Sequence, residues 1–572
     1  MTYKVAIAIS GAVSLGSYEA GTMYEIINAI KAHNESNPAH EHIHIDVLTG
    51  ASAGGMTAAL TTQKLLYDAN ALQGEYSNAG YLAWVKQVHI DGLLKPHDLD
   101  NDNTSILSSG FVDSIAQNLI MGRYQSTENP SQDRHIASAK EIKLGLALSN
   151  LNGVDYSQDI FESTHAGLED GSFVETRHQD RLTLTLGEEQ DKEKLWKRIA
   201  NTSRACGAFP GAFSPVSLFR RFDEPDYQGR GCDDFTRDGA ERKFTYIDGG
   251  AFNNYPLGMA RELAKTIDTD PLDYQNRFYF YISPSKKVSG MDTTLDGDSP
   301  DFKMHNVALS SIKAIFSQAR FQDWLMTDKV NRKIDLLDKR ALELAKHVKG
   351  SSKTAVKRLA TSAKELCEAL YIEVSTDDES MEAALLRLAT QYREDFKDFE
   401  AATQEEKDAW IYSIAVLEKS ANLNDRDIMN VYTITAKSDE LASEQLMSFM
   451  GFFDEKYRHY DYVRGRLNAT KVILHILNSR QDADKSDSHL PLKLKKSQYV
   501  AQERTLSTFL NSPHLGNVTP ADVEKTTRVR VYERIKDRYF LIAKNAGMGW
   551  MLRTALFNFF IKGKVKDALK LD

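Results

Sequence analysis

Residues 44–60 read HIDVLTGASAGGMTAAL. An apolar run, His44-Ile-Asp-Val-Leu48, has the length of a buried strand and ends at Thr49-Gly50. It runs straight into Gly50-Ala51-Ser52-Ala53-Gly54, and Gly55 to Leu60 then continues as a helix-compatible stretch. A strand that turns within a few residues into a helix belongs to a layered α/β architecture. The glycines permit a tight turn that pushes the Ser52 hydroxyl out of the backbone, which is the arrangement of a G-x-S-x-G nucleophile elbow. The same residues also read as a glycine-rich βα turn whose serine caps the following helix.

The first 300 residues repeat this grammar. Val5 to Ile9, Leu144 to Leu148, Leu182 to Leu186, Phe244 to Ile247 and Phe278 to Ile282 are further strand candidates, and a helix is expected from about Ser17 to His33. Together they predict an α/β domain with a mostly parallel central sheet over residues 1–300. Beyond Asp301 the period changes. Ile334, Leu337, Ala341, Leu344 and Val348 recur at helical spacing, as do Val356, Leu359, Ala363, Leu366 and Leu370, with Gly350-Ser-Ser352 between them, which predicts a helical hairpin. Similar patterns through 381–401 and 405–421 make residues 301–480 read as wholly helical. The polar stretch 481–496 reads as a linker, and residues 481–572 as that linker followed by a basic helical segment. A chain of 572 residues has ample length for two or more such units.

Composition narrows the function. The formal charge is -9, which argues against nucleic acid as a partner. It is unevenly spread: from Arg528 onward there are 11 Lys or Arg against 4 Asp or Glu, a net of +7, so residues 1–527 carry -16. Cys206, Cys232 and Cys367 form no C-x-x-C pair, so neither a disulfide framework nor a zinc site of ordinary spacing is expected, and a reducing, cytoplasmic setting fits. The run Val5 to Ile9 is too short for a signal-peptide core, and no run of 18 apolar residues is present to span a membrane. His40, His42 and His44 alternate into a strand and read as strand and loop before metal; Asp98, Asp100 and Asp102 lack the glycine and closing glutamate of a calcium loop. No metal and no cofactor is expected. The two S-x-x-K tetrads at Ser283 and Ser310 lack the companion motifs of penicillin-recognising enzymes.

Two further loops supply what an isolated serine lacks. Ser10-Gly11-Ala12-Val13-Ser14-Leu15-Gly16 joins the first strand to its helix, where backbone N–H groups beside a helix N-terminus can hold an oxyanion. Tyr246-Ile247-Asp248-Gly249-Gly250 brings a carboxylate to the end of another strand. Only two strands precede Ser52, unlike the order of α/β-hydrolases with a histidine triad, although 15 histidines leave a triad open by count.

With these blocks the chain resembles the patatin-like phospholipase family over about residues 3–285. The family's glycine-rich oxyanion loop matches Ser10 to Gly16, its G-x-S-x-G matches Gly50 to Gly54, and its Asp-Gly-Gly/Ala matches Asp248 to Gly250. Ser203-Arg204-Ala-Cys-Gly-Ala-Phe-Pro210 is similar to its Arg-Ala-Ser…Pro segment, and Gly451-Phe-Phe-Asp with Tyr460 to Arg466 is similar to a segment of longer bacterial patatin-related proteins that carry a C-terminal helical extension. The resemblance implies a three-layer α/β fold and a Ser-Asp dyad: Ser52 as nucleophile, Asp248 as general base and acid, and the amides of Gly11, Ala12 and Val13 as oxyanion hole. Gly16, Gly50, Gly54, Gly249 and Gly250 shape the three loops. The implied reaction is hydrolysis of lipid carboxylic esters of the phospholipase A or lysophospholipase type.

This chain departs from the family in reading Gly11-Ala12-Val13 where three glycines are usual, and Leu15 where a basic residue is usual. That departure motivates an alternative, a catalytically weak or silent member that binds lipid or protein. The basic C-terminus is a candidate for peripheral contact with an anionic membrane surface through Trp550, Phe559, Phe560, Lys562 and Lys564, or else a helix packed on the acidic body. The oligomeric state is not legible.

Overall fold

The computed structural model describes residues 3–95, 104–121, 133–159, 172–187, 192–228, 232–235, 241–252, 256–268, 276–286, 343–373, 401–420, 430–479, 489–512 and 515–571 except 517, with a few isolated positions between 314 and 389. Eight strands form one mixed sheet: β1 (Tyr3–Ile9), β2 (Ile43–Gly50), β3 (Ser138–Asp159), β4 (Ser172–Leu186), β5 (Val216–Arg220), β6 (Arg242–Asp248), β7 (Arg277–Lys286) and β8 (Asn430–Lys437). Their order is β5-β6-β3-β2-β1-β7-β8, with β4 paired to β3. The pairs β1–β2, β1–β7, β2–β3 and β7–β8 are parallel; β3–β4, β3–β6 and β5–β6 are antiparallel. Val5 to Ile9 are wholly buried, as befits a central parallel strand covered on both faces.

Helices α1 (Gly16–Ser36), α2 (Ala53–Tyr67), α3 (Ser109–Ile120), α4 (Lys192–Cys206) and α5 (Pro256–Lys265) follow from the first half of the chain. The chain then divides into two compact units, residues 324–429 and the remainder. In the smaller unit, α6 (Lys353–Glu373) and α7 (Gln404–Ser420) share a core around Trp410, Ile414, Val356 and Cys367. Ile334, Leu337 and Ala341 of the expected hairpin lie outside the described residues.

The remaining helices are α8 (Glu455–Ser479), α9 (Lys496–Leu510), α10 (Lys525–Asn545), α11 (Trp550–Leu556) and α12 (Lys562–Ala568), the last two joined by a π-helical turn, Phe557–Ile561. Residues 301–480 are therefore not wholly helical. Residues 430–437 alternate buried and more exposed positions and pair with β7 as a strand, and α8 docks on α1 through the buried pair Arg466–Glu25 at 2.6 Å and Asn468 Nδ2 donating to Tyr18 Oη at 3.0 Å. The larger unit thus takes in residues 430–572, and the expected division at 300 gives way to an inserted unit at 324–429. The segment expected to be a linker ends in packed structure: Leu490 and Leu492 are buried, and the Leu490 N–H donates to Tyr432 Oη at 2.9 Å. Polar residues up to 488 hid that anchor.

Below the strand ends, buried charges are compensated in groups. Arg277 reaches Asp46 and Asp268, and Arg220 reaches Asp180, Glu224 and Asp226. Each guanidinium brings enough donors to satisfy several carboxylate oxygens in one place.

Candidate active site

Register brings the serine and the aspartate together. Gly50 at the end of β2 lies opposite Leu146 of β3, and Asp248 at the end of β6 lies opposite Leu148 on the same edge, since β4 pairs with Ile142 to Ser149 along the other. β2 runs parallel to β3 and β6 antiparallel to it, so the ends of β2 and β6 meet head-on along that edge and bring Ser52 and Asp248 together. Ser52 Oγ donates to Asp248 Oδ2 at 2.6 Å. Asp248 Oδ1 accepts from the Gly250 N–H at 2.8 Å, and the Asp248 N–H donates to Ala208 O at 2.9 Å. Both side chains are nearly covered, with Ser52 6% and Asp248 1% exposed.

The turn that presents Ser52 is strained. Its φ is 54° and ψ -129°, a backbone region that favours glycine, and such conformations persist only where the surroundings over-determine them. Gly54 supplies part of that constraint, since a Cβ there would lie 2.4 Å from Ile9 O. Ser52 makes no side-chain cap to α2; its hydroxyl turns to Asp248 instead. The positive end of the α2 dipole points at this hydroxyl.

The loop Ser10–Gly16 lies directly over Ser52. A Cβ on Gly11 would stand 2.6 Å from Ser52 Cβ, so only glycine lets the backbone come this close. Ala12 follows with φ -155°, and Val13 has φ 52°, an uncommon value for a β-branched residue. Leu15 is buried in the core, and Gly16 opens α1 against the Trp84 ring. The Arg204-to-Pro210 block has a visible task. It turns the chain after α4 so that Ala208 O holds Asp248, and it sets Cys206 beside Gly50, its Sγ 3.8 Å from Gly50 O. Burial first, and then the neighbouring Asp248 carboxylate, push the Cys206 thiol well above its ordinary value, which keeps it neutral.

An apolar pocket opens from Ser52 and Asp248, enclosing about 970 Å³ with its mouth included. Its walls include Val112, Ile115 and Leu119 of α3 with Trp84, Phe213 and Phe452. The α3 residues recur at helical spacing, a signal present in the sequence but not used above; Phe452, some 400 residues from Ser52, belongs to the Gly451-Phe-Phe-Asp segment noted for its likeness to longer patatin-related proteins, but nothing in that segment pointed to the pocket.

The other candidates fall elsewhere. His42 Nε2 donates to the Asn37 backbone oxygen at 3.0 Å and its ring meets His44 edge-on, and no metal-holding cluster occurs among the described residues. Asp98 to Asp102 and the Ser310 tetrad lie outside the described residues. At the C-terminus, Phe557 and Leu569 are buried against Val88, Leu93 and Tyr532, while Trp550 and Phe559 are 68% and 83% exposed, with Met551 and Leu552 exposed beside them. Lys562 is exposed and Lys564 half-buried; the side chain of Phe560 lies outside the described residues. No described helix is long and apolar enough to cross a membrane.

A mixed, mostly parallel sheet flanked by helices, with a serine on the turn from β2 into α2, is a layered α/β architecture. Residues 7–261 match the family model described as patatin-like phospholipase, and this part of the chain is a patatin-like phospholipase domain. The uncharacterized protein y4iI of Sinorhizobium fredii (strain NBRC 101917 / NGR234) is 25% identical over 392 residues, covering 56% of this chain and 54% of that one. The chain thus spans about half the length of that relative.

Proposed function

We propose that the protein hydrolyses carboxylic esters of phospholipids or lysophospholipids through a Ser52–Asp248 dyad. The observation that carries this reading is the 2.6 Å hydrogen bond from Ser52 Oγ to Asp248 Oδ2 at the base of an apolar pocket. A serine hydroxyl needs a base within hydrogen-bond reach to act as a nucleophile. Asp248 Oδ2 takes the hydroxyl proton as Ser52 Oγ bonds to the ester carbonyl carbon, and the carbonyl oxygen gains the negative charge. The amides of Gly11, Ala12 and Val13 are the donors for that oxyanion, aided by the N-terminus of α2. Collapse of the intermediate expels the alcohol, which receives the proton from Asp248, and leaves the acyl group on Ser52. Water then repeats the sequence, with Asp248 again taking and returning the proton. The acyl chain occupies the pocket walled by α3, where its burial offsets loss of contact with the bilayer.

The protein meets its insoluble substrate peripherally. Exposed Trp550, Met551, Leu552 and Phe559 next to Lys562 and the net positive C-terminal segment suit an anionic lipid surface, while Phe557 and Leu569 anchor the same helices to the body. Flotation with vesicles containing anionic lipid tests this: Trp550→Ser/Phe559→Ser should lose binding, and a folded double variant that floats like wild type removes the membrane reading.

Fluorophosphonate labelling tests the chemistry. Wild type should label and Ser52→Ala should not, and Asp248→Asn should lose about 10²- to 10⁴-fold in turnover of a phospholipid panel. An unlabelled wild type would instead favour the silent lipid-binding alternative, for which the buried Leu15 in place of a basic residue is the motivating observation.

A further inference from the structure

The loop that carries Gly11, Ala12 and Val13 is held from the far end of the chain. Ser14 is fully buried, and its hydroxyl donates to Ser448 O and accepts from the Gly451 N–H, the latter at 3.2 Å. Gly451 approaches so closely that a Cβ would stand 2.6 Å from Ser14 Oγ and 2.5 Å from Ser443 Oγ. The segment making these contacts is itself bent into uncommon conformations, with φ 53° at Leu446 and 66° at Ser448. Two residues of α8 pin it. Arg458, 2% exposed, donates to Gly451 O at 2.7 Å, to Phe452 O at 3.3 Å and to Val85 O at 2.9 Å. Asp461 Oδ1 accepts from the Ala442 N–H at 2.8 Å. The same segment sends Phe449 against Phe209, with ring centroids 5.7 Å apart, and Phe209 follows the Ala208 whose carbonyl holds Asp248.

Backbone strain such as that at Val13 survives only where neighbouring structure leaves no alternative. Here the neighbour is residues 441–453, which lie outside the family-matched span of 7–261. We infer that residues 441–453 are a brace for the oxyanion loop and that Ser14 and Gly451 are positioning residues for its amide donors. The inference rests on the proposed hydrolase reading. Neither residue touches the reacting atoms; each acts by fixing where the backbone N–H groups of Gly11 to Val13 point.

The test uses the full chain with p-nitrophenyl butyrate, reading kcat, KM and the melting temperature of wild type, Ser52→Ala, Ser14→Ala, Gly451→Ala and the Ser14→Ala/Gly451→Ala double variant. Misplaced donors weaken only the transition state, so each single variant should lose about 10- to 100-fold in kcat with little change in KM. Because both substitutions disturb one contact, the double variant should lose little more than the worse single one. Should Ser14→Ala lose its cooperative melt, Ser14→Cys, which keeps the volume and weakens the hydrogen bonds, carries the same expectation. Wild-type kcat in the single variants, a loss confined to KM, or losses that multiply in the double variant would each overturn the brace. Ser52→Ala separates the two levels: if it is inactive while the brace variants are normal, only the brace fails, and if it turns over at the wild-type rate, the hydrolase reading fails.

Discussion

Arg204 Nη1 stands 3.0 Å from Asp113 Oδ1, and this ion pair ties α4, which carries the turn that holds Asp248, to α3, which walls the apolar pocket. Both groups are partly solvated, so the pair is worth about 0.2–1 kcal/mol. Asp113→Asn should therefore leave the melting temperature nearly unchanged. Its effect should appear as a change of at most about fivefold in kcat/KM, larger for long-chain than for short-chain esters, because only a long acyl chain rests along α3. Equal effects on both esters would mean that α3 does not contact the chain.

Arg277 is the hub of a buried triad with Asp46 and Asp268, and Asp268 also takes Lys4 Nζ at 2.9 Å. Arg277→Met would take the guanidinium from both carboxylates in a low-dielectric interior and leave Lys4 with Asp268 alone, at about 3–5 kcal/mol. Urea denaturation should show that loss, while labelling of Ser52 per folded molecule stays at the wild-type rate, since Arg277 sits opposite Lys4 at the start of β1, away from the Ile9 and Gly50 end of the sheet.

Gly54→Ala tests the packing beneath the serine turn. A methyl 2.4 Å from Ile9 O must displace either β1 or the start of α2. Overpacking of this kind costs about 1–3 kcal/mol, so the variant should melt lower and label more slowly than wild type. Unchanged labelling with unchanged stability would show that the turn relaxes freely.

Asp461 gives the fold a measurable pH dependence. Burial pushes its carboxyl up to about 7, with Glu444 adding to the rise and hydrogen bonds from Ser443 and Ala442 opposing it. The folded state therefore holds the proton more tightly than the unfolded chain. The resulting stabilisation is complete below about pH 4 and is lost as pH rises through about 7. In thermal melts from pH 4 to 8, Asp461→Asn should remove a few kcal/mol of this slope. His135, lowered by burial to about 4, pulls in the opposite sense between pH 4 and 6.5, so the difference between variant and wild type isolates Asp461.

Much of the site was legible because each part is local. Ser52 and its glycines, the loop from Ser10 to Gly16 and the Asp248-Gly-Gly turn are each contained in a few residues with a turn chemistry of their own. β1, β2, β6 and β7 were visible as apolar runs for the same reason. β8 was missed although Asn430 to Lys437 alternates like a strand, because helical patterns surround it and its partner β7 lies about 150 residues earlier. β5 was missed because it is short and half exposed.

By itself the sequence determined the chemistry on offer: a serine pushed out of a strand–helix turn, a carboxylate at a strand end and a glycine-rich loop between a strand and a helix. The tertiary structure decided what they meet. Sheet register brought the ends of β2 and β6 together along one edge of β3 and set Ser52 and Asp248 within hydrogen-bond distance, α3 and Phe452 closed an apolar pocket around them, and Gly451 seated Ser14. Those contacts join residues hundreds of positions apart. They depend on which surfaces the whole fold buries together, and no local pattern of residues encodes that.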